Sequence, residues 1–233
     1  MTHVFQDRIE AGRVLASRLE RYARRDDVVV LGLPRGGVPV AFQIARALDA
    51  PLDVCLVRKL GVPNNPELAM GALGSRGDIT TNENVVQSLR VSQEQFEAVV
   101  RRERQELQRR EKRYRGRRPP LEVRGKTTIL VDDGVATGAT LMAAIATLRH
   151  CHPAKIVVAI PVAAPVVCEK LRTKVDELVC VLEPEPFNFL GLWYADFSQT
   201  TDEEVCGLLE IAASERNSQS QNGSSDFKAF STF

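Results

Sequence analysis

The sequence predicts an α/β protein whose open, mainly parallel, twisted sheet is flanked by helices. The first observation is a series of short, continuous apolar runs, which are typical of strands buried on both faces. The second is that helical patterns separate these runs, and strand–helix–strand alternation builds parallel sheets with right-handed crossovers. The third is the length, because 233 residues suffice for one substantial α/β domain.

The first elements follow from local patterns. Residues 4–25 place apolar side chains at helical spacing, which predicts an amphipathic helix. The β-branched run at 28–33 predicts a strand, and a helix should follow it as far as Leu48. A second strand is predicted over residues 52–59. Residues 60–86 are rich in Gly, Pro and Asn, which predicts a long loop with room for a hairpin.

A long, highly charged helix is predicted over residues 92–116, inserted before the next strand. Residues 101–118 are strongly basic, and glutamates at helical spacing pair with some of the arginines. This pattern favours a solvated helix at the edge of the fold, or one that packs on a partner subunit. A nucleic-acid patch is the alternative. It lacks interleaved aromatic side chains, which argues against nucleic acid as a partner.

The second half of the chain alternates regularly. Strands are predicted over 127–133, 155–163 and 177–184, with helices over 141–151 and 165–174 between them. A last helix should begin near Thr201, because carboxylates in its first turn favour the helix dipole. From Ser214 the composition is rich in Ser, Gln and Asn, which predicts disorder. We therefore expect a single domain over residues 1–213 and a disordered tail over residues 214–233.

Composition argues against several classes of protein. The formal net charge is +1, so no global field favours nucleic acid or a membrane. The longest apolar runs are too short to span a bilayer, and the N-terminal residues carry charges rather than an apolar signal core. The five cysteines form no CxxC pair, which favours buried reduced thiols over disulfides or a zinc site. Together these features predict a cytoplasmic protein.

The most informative segment is 129-ILVDDGVATGATL-141. Asp132 and Asp133 follow a buried strand, at the sheet edge where α/β proteins bind ligands. A loop of small residues then enters a helix, and its N–H groups, two threonine hydroxyls and the helix dipole can bind a phosphate. The residues of this loop are Gly134, Val135, Ala136, Thr137, Gly138, Ala139 and Thr140.

The aspartate pair needs a different partner from the loop, because carboxylates repel a phosphate. A ribose resolves the conflict: its vicinal hydroxyls donate to Asp132 and Asp133 while its 5′-phosphate fills the loop. The segment therefore predicts a cradle for ribose 5-phosphate. A Walker A loop, a GxGxxG loop and an EF-hand all fit this sequence worse.

Two acidic residues after an apolar strand, followed by x-x-A-T-G-x-T, resemble the signature of type I phosphoribosyltransferases. That signature binds 5-phosphoribosyl-1-pyrophosphate (PRPP). The resemblance extends over residues 4–210 and implies the type I fold and a homodimer. It also implies Mg²⁺-dependent transfer of the phosphoribosyl group to a nitrogenous base, with release of pyrophosphate. The segments 5–19, 57–73 and 193–205 resemble a bacterial group of such proteins whose acceptor is generally unassigned.

The resemblance implies further site residues. The loop after the first core strand would bind pyrophosphate through Arg35, Gly36 and Gly37, with an uncommon cis peptide near Pro34–Arg35. Arg58 and Lys59 resemble a catalytic pair that precedes a flexible loop, here residues 61–83, which would close over the site. Asp132 and Asp133 would be catalytic. Mg²⁺ would be held mainly by PRPP, with either aspartate reaching it through water.

One position bears on which base is the acceptor. Hypoxanthine-type relatives carry an Asp where this chain has Ala136, and adenine- and uracil-type relatives carry Ala, so those two bases are slightly favoured. The segment that contacts the base, called the hood, is expected at residues 183–200. Trp193 is its candidate for stacking on the base, although aromatic clusters are more often core.

One alternative belongs to a different functional class. Some proteins of this fold are PRPP-sensing regulators that bind nucleic acid without catalysis, and the basic segment 101–118 keeps this alternative open. It predicts PRPP binding without turnover, and salt-dependent affinity for nucleic acid. The near-neutral net charge and the intact cations on the pyrophosphate side count against it. A PRPP-forming synthetase is a further alternative, but such enzymes are longer and have two domains.

Overall fold

The computed structural model describes residues 4–75 and 77–226. The helices are α1 (Arg8–Arg18), α2 (Gly37–Leu48), α3 (Glu83–Ser88), α4 (Gln93–Arg115), α5 (Ala139–His150), α6 (Pro165–Arg172) and α7 (Asp202–Asp226). The strands are β1 (Val28–Gly32), β2 (Leu52–Val54), β3 (Val57–Val62), β4 (Asn65–Gly74), β5 (Ile79–Thr81), β6 (Thr127–Val131), β7 (Lys155–Val162) and β8 (Glu177–Leu182). Short 3₁₀ turns lie at Glu20–Tyr22 and Leu190–Trp193.

The main sheet has five strands in the order β2-β1-β6-β7-β8, and every neighbouring pair is parallel. Its central strands are apolar and fully buried, as the continuous hydrophobic runs predict. The predicted fold class is confirmed. The chain moves outward from β1 to β2 and then returns to the other side of β1 at β6. This reversal makes the β1–β6 edge the topological switch point, where open α/β sheets bind ligands.

Helices cover both faces of the main sheet. On one face α1 and α2 pack on β1 and β6, with Leu15, Ile44 and Ile129 buried among them. On the other face α5 and α6 pack on β6 and β7 through a second cluster that includes Leu141 and Leu171. Burial of such side chains is the main force that stabilises a layered α/β domain.

Residues 60–86, predicted as a long loop with room for a hairpin, contain the β3–β4 hairpin within a second sheet, and the predicted strand over 52–59 is divided between the two sheets. The strand breaks in two: β2 remains in the main sheet, whereas β3 joins β4 and β5 in an antiparallel three-stranded sheet. The glycines that indicated a loop occupy strand positions where backbones approach closely. A Cβ at Gly71 would lie 2.3 Å from the carbonyl oxygen of Thr80, so this strand position has no room for a side chain.

The long helix α4 forms where the sequence predicts it, and a capping box at Ser92 and Gln95 starts it. It is not only a solvated edge helix. Its side chains Val99, Leu107 and Tyr114 are buried in a cluster with the second sheet and α7. These positions share one helix face, and the arginines between them made the pattern look solvated throughout.

A buried ion pair holds the end of α4. Nε of Arg115 lies 3.0 Å from both carboxylate oxygens of Asp53, and Nη2 donates to the Val54 carbonyl at 2.7 Å. Only 6% of the Arg115 side chain and 10% of the Asp53 side chain are exposed. The guanidinium therefore ties α4 to β2 at the edge of the main sheet.

The last helix, α7, begins at Asp202, close to the predicted start at Thr201, but it continues to Asp226. The sequence predicts a disordered tail over 214–233; the structure describes helix as far as residue 226 of it, and the remaining residues lie outside the described ranges. The extension contacts α2: Glu215 pairs with Arg46 at 3.3 Å, and Arg216 donates to the Asp49 carbonyl at 3.0 Å. Among the described helices, α7 included, none has the length and apolarity needed to cross a membrane.

Candidate active site

The two predicted binding loops leave the main sheet side by side. Gly32 pairs with Val131 in the register of β1 and β6, so the loops that follow start at the same edge. They are in direct contact. A Cβ at Gly36 would lie 1.9 Å from Oδ2 of Asp133, and a Cβ at Gly37 would lie 2.7 Å from the Val131 carbonyl oxygen. Only glycines allow this approach, which explains the Gly-Gly pair after β1.

The loop after β1 contains the cis peptide Pro34–Arg35, as the resemblance implied. The Arg35 side chain is exposed at this edge of the sheet. The Gly37 N–H donates to the Leu33 carbonyl at 3.0 Å, whereas no hydrogen bond between described residues uses the N–H groups of Arg35 and Gly36. The loop thus offers two backbone donors and one cation to an anion.

The aspartate pair is crowded. Asp132 and Asp133 are each half-buried at the end of β6, and the Asp133 N–H donates to Oδ1 of Asp132 at 3.0 Å. Burial raises the pKa of Asp132 well above its usual range, and the neighbouring charge of Asp133 raises it further. Hydroxyl donors or a cation at this position would relieve the excess negative charge.

Two side chains contact Asp133: Arg8, which the sequence did not assign to the site, and Tyr194, which lies in the predicted hood. Nε of Arg8, from α1, donates to Oδ2 of Asp133 at 2.8 Å, and the guanidinium carbon lies 4.1 Å from the centre of the Phe197 ring. Arg8 also donates to the Ser198 carbonyl at 2.7 Å. The Tyr194 hydroxyl donates to the backbone carbonyl of Asp133 at 2.5 Å. Burial, followed by the charge of Asp133, raises the pKa of Tyr194, so the hydroxyl stays protonated.

Backbone pairing joins the start of the chain to the hood around this group. The Phe5 N–H donates to the Trp193 carbonyl at 2.9 Å, and the Ala195 N–H donates to the Phe5 carbonyl at 2.8 Å. The first residues of the chain and residues 193–198 thus form one wall of the site, and Arg8 projects from it towards Asp133.

The small-residue loop forms an anion cradle. The Val135 N–H donates to the Val162 carbonyl at 2.9 Å, and this hydrogen bond fixes the start of the loop. Within the described parts of the chain, no hydrogen bond uses the N–H groups of Ala136, Thr137 or Gly138. Gly138 has a φ of 78° and caps α5, so these donors point away from the sheet at a helix N-terminus. Thr137 and Thr140 are exposed beside them.

A cationic cleft of about 400 Å³ lies next to the two loops. Pro34 and Thr140 line one side of it, and Arg58 and Lys59 of β3 line another. The structure therefore brings the predicted cationic pair to the binding edge, although from the second sheet and not from the end of a core strand. The third side is α4, with Arg102, Glu103, Leu107 and Arg110.

Trp193 does not line the cationic cleft. Its ring packs on the cluster around Phe5, and it lines a separate cavity of about 650 Å³ with residues that include Val4 and Glu183. Its indole nitrogen is buried without a hydrogen-bond partner among the described residues. The hood reaches the cradle through other side chains: Tyr194 contacts Asp133, and a Cβ at Gly134 would lie 2.1 Å from Leu190.

The sequence matches a known protein family over most of its length. The sequence model described as "Phosphoribosyl transferase domain" matches residues 5–189, which contain both loops and the aspartate pair. The chain belongs to the phosphoribosyltransferase family. The family match also includes β3, which contributes Arg58 and Lys59 to the cleft.

Two relatives extend the comparison. The chain is 45% identical over 209 residues to "Putative phosphoribosyl transferase Rv0571c" of Mycobacterium tuberculosis. That alignment covers 90% of this chain and 47% of the mycobacterial protein, so the chain spans about half the length of the curated relatives it matches. The crystal structure of TT1426 from Thermus thermophilus is 42% identical with a TM-score of 0.81, and it covers 88% of this chain and 97% of that one.

Proposed function

We propose that the chain transfers the 5-phosphoribosyl group of PRPP to a nitrogenous base and releases pyrophosphate. The observation that carries this proposal is the meeting of the cradle, the aspartate pair and the glycine loop at one sheet edge. The 5′-phosphate would occupy the loop 134–140, and the ribose hydroxyls would donate to Asp132 and Asp133. The pyrophosphate would lie on the loop 35–37, beside the cationic cleft.

The residues present fit a divalent cation. The crowded carboxylates of Asp132 and Asp133 supply the oxygen ligands that Mg²⁺ prefers, and a cation between them and the substrate would offset their repulsion. When bound, Mg²⁺ neutralises charge on the departing pyrophosphate. We expect PRPP to provide most of its ligands, with one aspartate acting through water.

The chain's own residues supply the remaining chemistry. Displacement at C1 of the ribose passes through an oxocarbenium-like transition state, which the adjacent carboxylates Asp132 and Asp133 stabilise. Charge grows on the leaving pyrophosphate, and Arg35 of the loop after β1, with Arg58 and Lys59 of the cleft, would stabilise that charge. Residues of the second sheet line the cleft, and they would limit the access of water and so protect PRPP from hydrolysis.

For the acceptor we propose adenine or a uracil-type base, because Ala136 stands where a 6-oxopurine enzyme would carry an aspartate. We expect the protein to act in the cytoplasm as a homodimer, as the family resemblance implies. The base would enter between the cradle and the hood, where Leu190 packs against Gly134. Trp193 faces a separate cavity and is a weaker candidate for stacking than the sequence alone indicates.

The experiment that tests this function is a calorimetric titration with PRPP and Mg²⁺, followed by a screen for pyrophosphate release across nucleobases. We expect binding, and release with one class of base. Binding without release from any base would favour the PRPP-sensing regulator. Absence of binding would contradict the proposed function altogether.

Replacing Arg8 by methionine should weaken PRPP binding roughly tenfold, because a charge-assisted hydrogen bond contributes about 1.5–3 kcal/mol. The loss would come from a carboxylate of Asp133 that is no longer oriented, while methionine preserves the packing on Phe197. Titration of the variant with PRPP measures the effect. Arg13→Met is the matched control, since Arg13 is exposed on the same helix. Equal losses in the two variants would contradict a role for Arg8 in the site.

A further inference from the structure

The inserted helix α4 directs part of its basic surface towards the substrate. Arg102, Glu103, Leu107 and Arg110 all line the cationic cleft. At 3.6 residues per turn these positions fall within an arc of about 140°, so they form one continuous helix face. The buried anchors Tyr114 and Arg115 hold this face against the rest of the fold.

The cleft has a strong excess of positive charge. Arg58 and Lys59 contribute from β3 and Arg102 and Arg110 from α4, and among the residues whose side chains the structure describes, Glu103 is the only carboxylate that lines the cleft. A concave surface with one sign of charge concentrates ions of the other sign. The ligand class that this cleft would select is a compact polyanion.

Glu103 organises these cations. Its side chain is only 8% exposed, and its two oxygens are divided between two arginines. Oε2 accepts from Nε of Arg58 at 2.8 Å and lies 2.6 Å from Nη2, while Oε1 accepts from Arg102 at 3.0 Å. Two nitrogens of Arg58 share the single oxygen Oε2, and this contact holds the Arg58 guanidinium at the cleft. Arg110 is held in turn by Glu106 at 2.8 Å.

We propose that α4 forms the outer wall of the pyrophosphate subsite. Arg102 and Arg110 contact the pyrophosphate of PRPP directly, and Glu103 is a positioning residue that aims Arg58 and Arg102. This inference rests on the proposed function, because it requires that PRPP bind with its pyrophosphate beside Pro34. It assigns a purpose to the basic segment that neither a solvated helix nor a nucleic-acid patch provides.

The test compares two probes, PRPP and ribose 5-phosphate, which differ by the pyrophosphate. We expect the double variant Arg102→Gln/Arg110→Gln to bind PRPP roughly tenfold more weakly, since two charge-assisted contacts are lost from exposed side chains. Its affinity for ribose 5-phosphate should match that of the wild type. Calorimetric titration with each probe, in the presence of Mg²⁺, measures both.

The matched control is Arg101→Gln/Arg109→Gln. These arginines are exposed neighbours on the same helix, they lie outside the cleft, and their removal changes the net charge equally. The control should retain PRPP affinity within about twofold, since exposed charges that make no contact in the cleft are largely screened by salt. Equal losses in both doubles, or no loss in either, would overturn the inference. If wild-type protein bound neither probe, the proposed function itself would fail.

Glu103→Gln separates positioning from simple attraction. If charge alone governed binding, removing a carboxylate from the cleft would strengthen PRPP binding. The positioning role requires the opposite sign: PRPP binding weakens, and ribose 5-phosphate binding is unchanged. Stronger PRPP binding in this variant would remove Glu103 from the proposal, and parallel weakening of both probes would indicate a merely structural effect.

Discussion

The double variant Asp132→Asn/Asp133→Asn is expected to bind PRPP roughly 10²–10⁴-fold more weakly than the wild type. Each carboxylate would accept a ribose hydroxyl, and hydrogen bonds to charged groups contribute about 1.5–3 kcal/mol each. The fold should survive, because asparagine has the same shape and removes the repulsion that raises the pKa of Asp132. Calorimetric titration measures the affinity, and thermal unfolding checks the fold.

A control for the loss of negative charge is Asp26→Asn, which replaces an exposed carboxylate just before β1, at the opposite end of that strand. It should leave PRPP binding unchanged. In the double variant an asparagine oxygen at position 133 can still accept from Arg8, so the wall formed by α1 and the hood should persist. Wild-type PRPP affinity in a folded double variant would show that these residues do not hold the ribose.

The second large effect concerns stability. Asp53→Ala should lower the free energy of unfolding by up to about 3–5 kcal/mol, because it removes the buried carboxylate partner of Arg115 and leaves the guanidinium with the more exposed Glu111, 3.2 Å from Nη1. Typical domains are stable by only about 5–15 kcal/mol, so the loss is a large part of the total. Chemical denaturation followed by far-UV circular dichroism measures it.

Two comparisons make this result interpretable. Asp27→Ala removes a carboxylate from the exposed Arg25–Asp27 pair and should change stability little. The double variant Asp53→Ala/Arg115→Met should recover much of the loss, since a buried charge is no longer left alone. If Asp53→Ala were as mild as Asp27→Ala, the buried pair would not be what anchors α4.

The main sheet could be predicted from the sequence because its information is local. Each buried strand is a continuous apolar run, and each run ends at a turn or helix signal. The apolar run over 52–59 was predicted as a single strand because the prediction rests on local hydrophobicity alone. Hydrophobicity continues through Cys55 and Leu56, so nothing local shows that the chain leaves one sheet and enters another.

Most of the second sheet was predicted as a loop with room for a hairpin because glycine is typical of loops and also of strand positions where two backbones approach closely. At Gly71 a glycine allows close backbone pairing inside a strand, whereas composition counts it as a loop residue. The length of α7 was missed for a related reason. The polar residues after Ser214 have no helical signal of their own, and contacts of Glu215 and Arg216 with α2 accompany the continuation of the helix.

Some residues of the candidate site could likewise be predicted from the local sequence, and others could not. The cradle and aspartates at 132–140 are contiguous, so their pattern could be found directly in the sequence. Arg8 lies 125 positions from Asp133, and Glu103 lies 45 positions from Arg58. One arginine on an amphipathic helix, or one glutamate among many in α4, has no distinguishing local signal. Only the fold pairs them with their targets.

The wall that joins Phe5 and Arg8 to residues 193–198 also bears on the order in which parts of the chain fold during synthesis. Arg8 is synthesised 190 positions before its acceptor at Ser198. At typical elongation rates of about 5–20 residues per second, α1 waits roughly ten seconds or more for that partner. During vectorial synthesis the nascent sheet can therefore assemble while the catalytic edge is still open. Closure of this high-contact-order seam is expected to be among the last folding events.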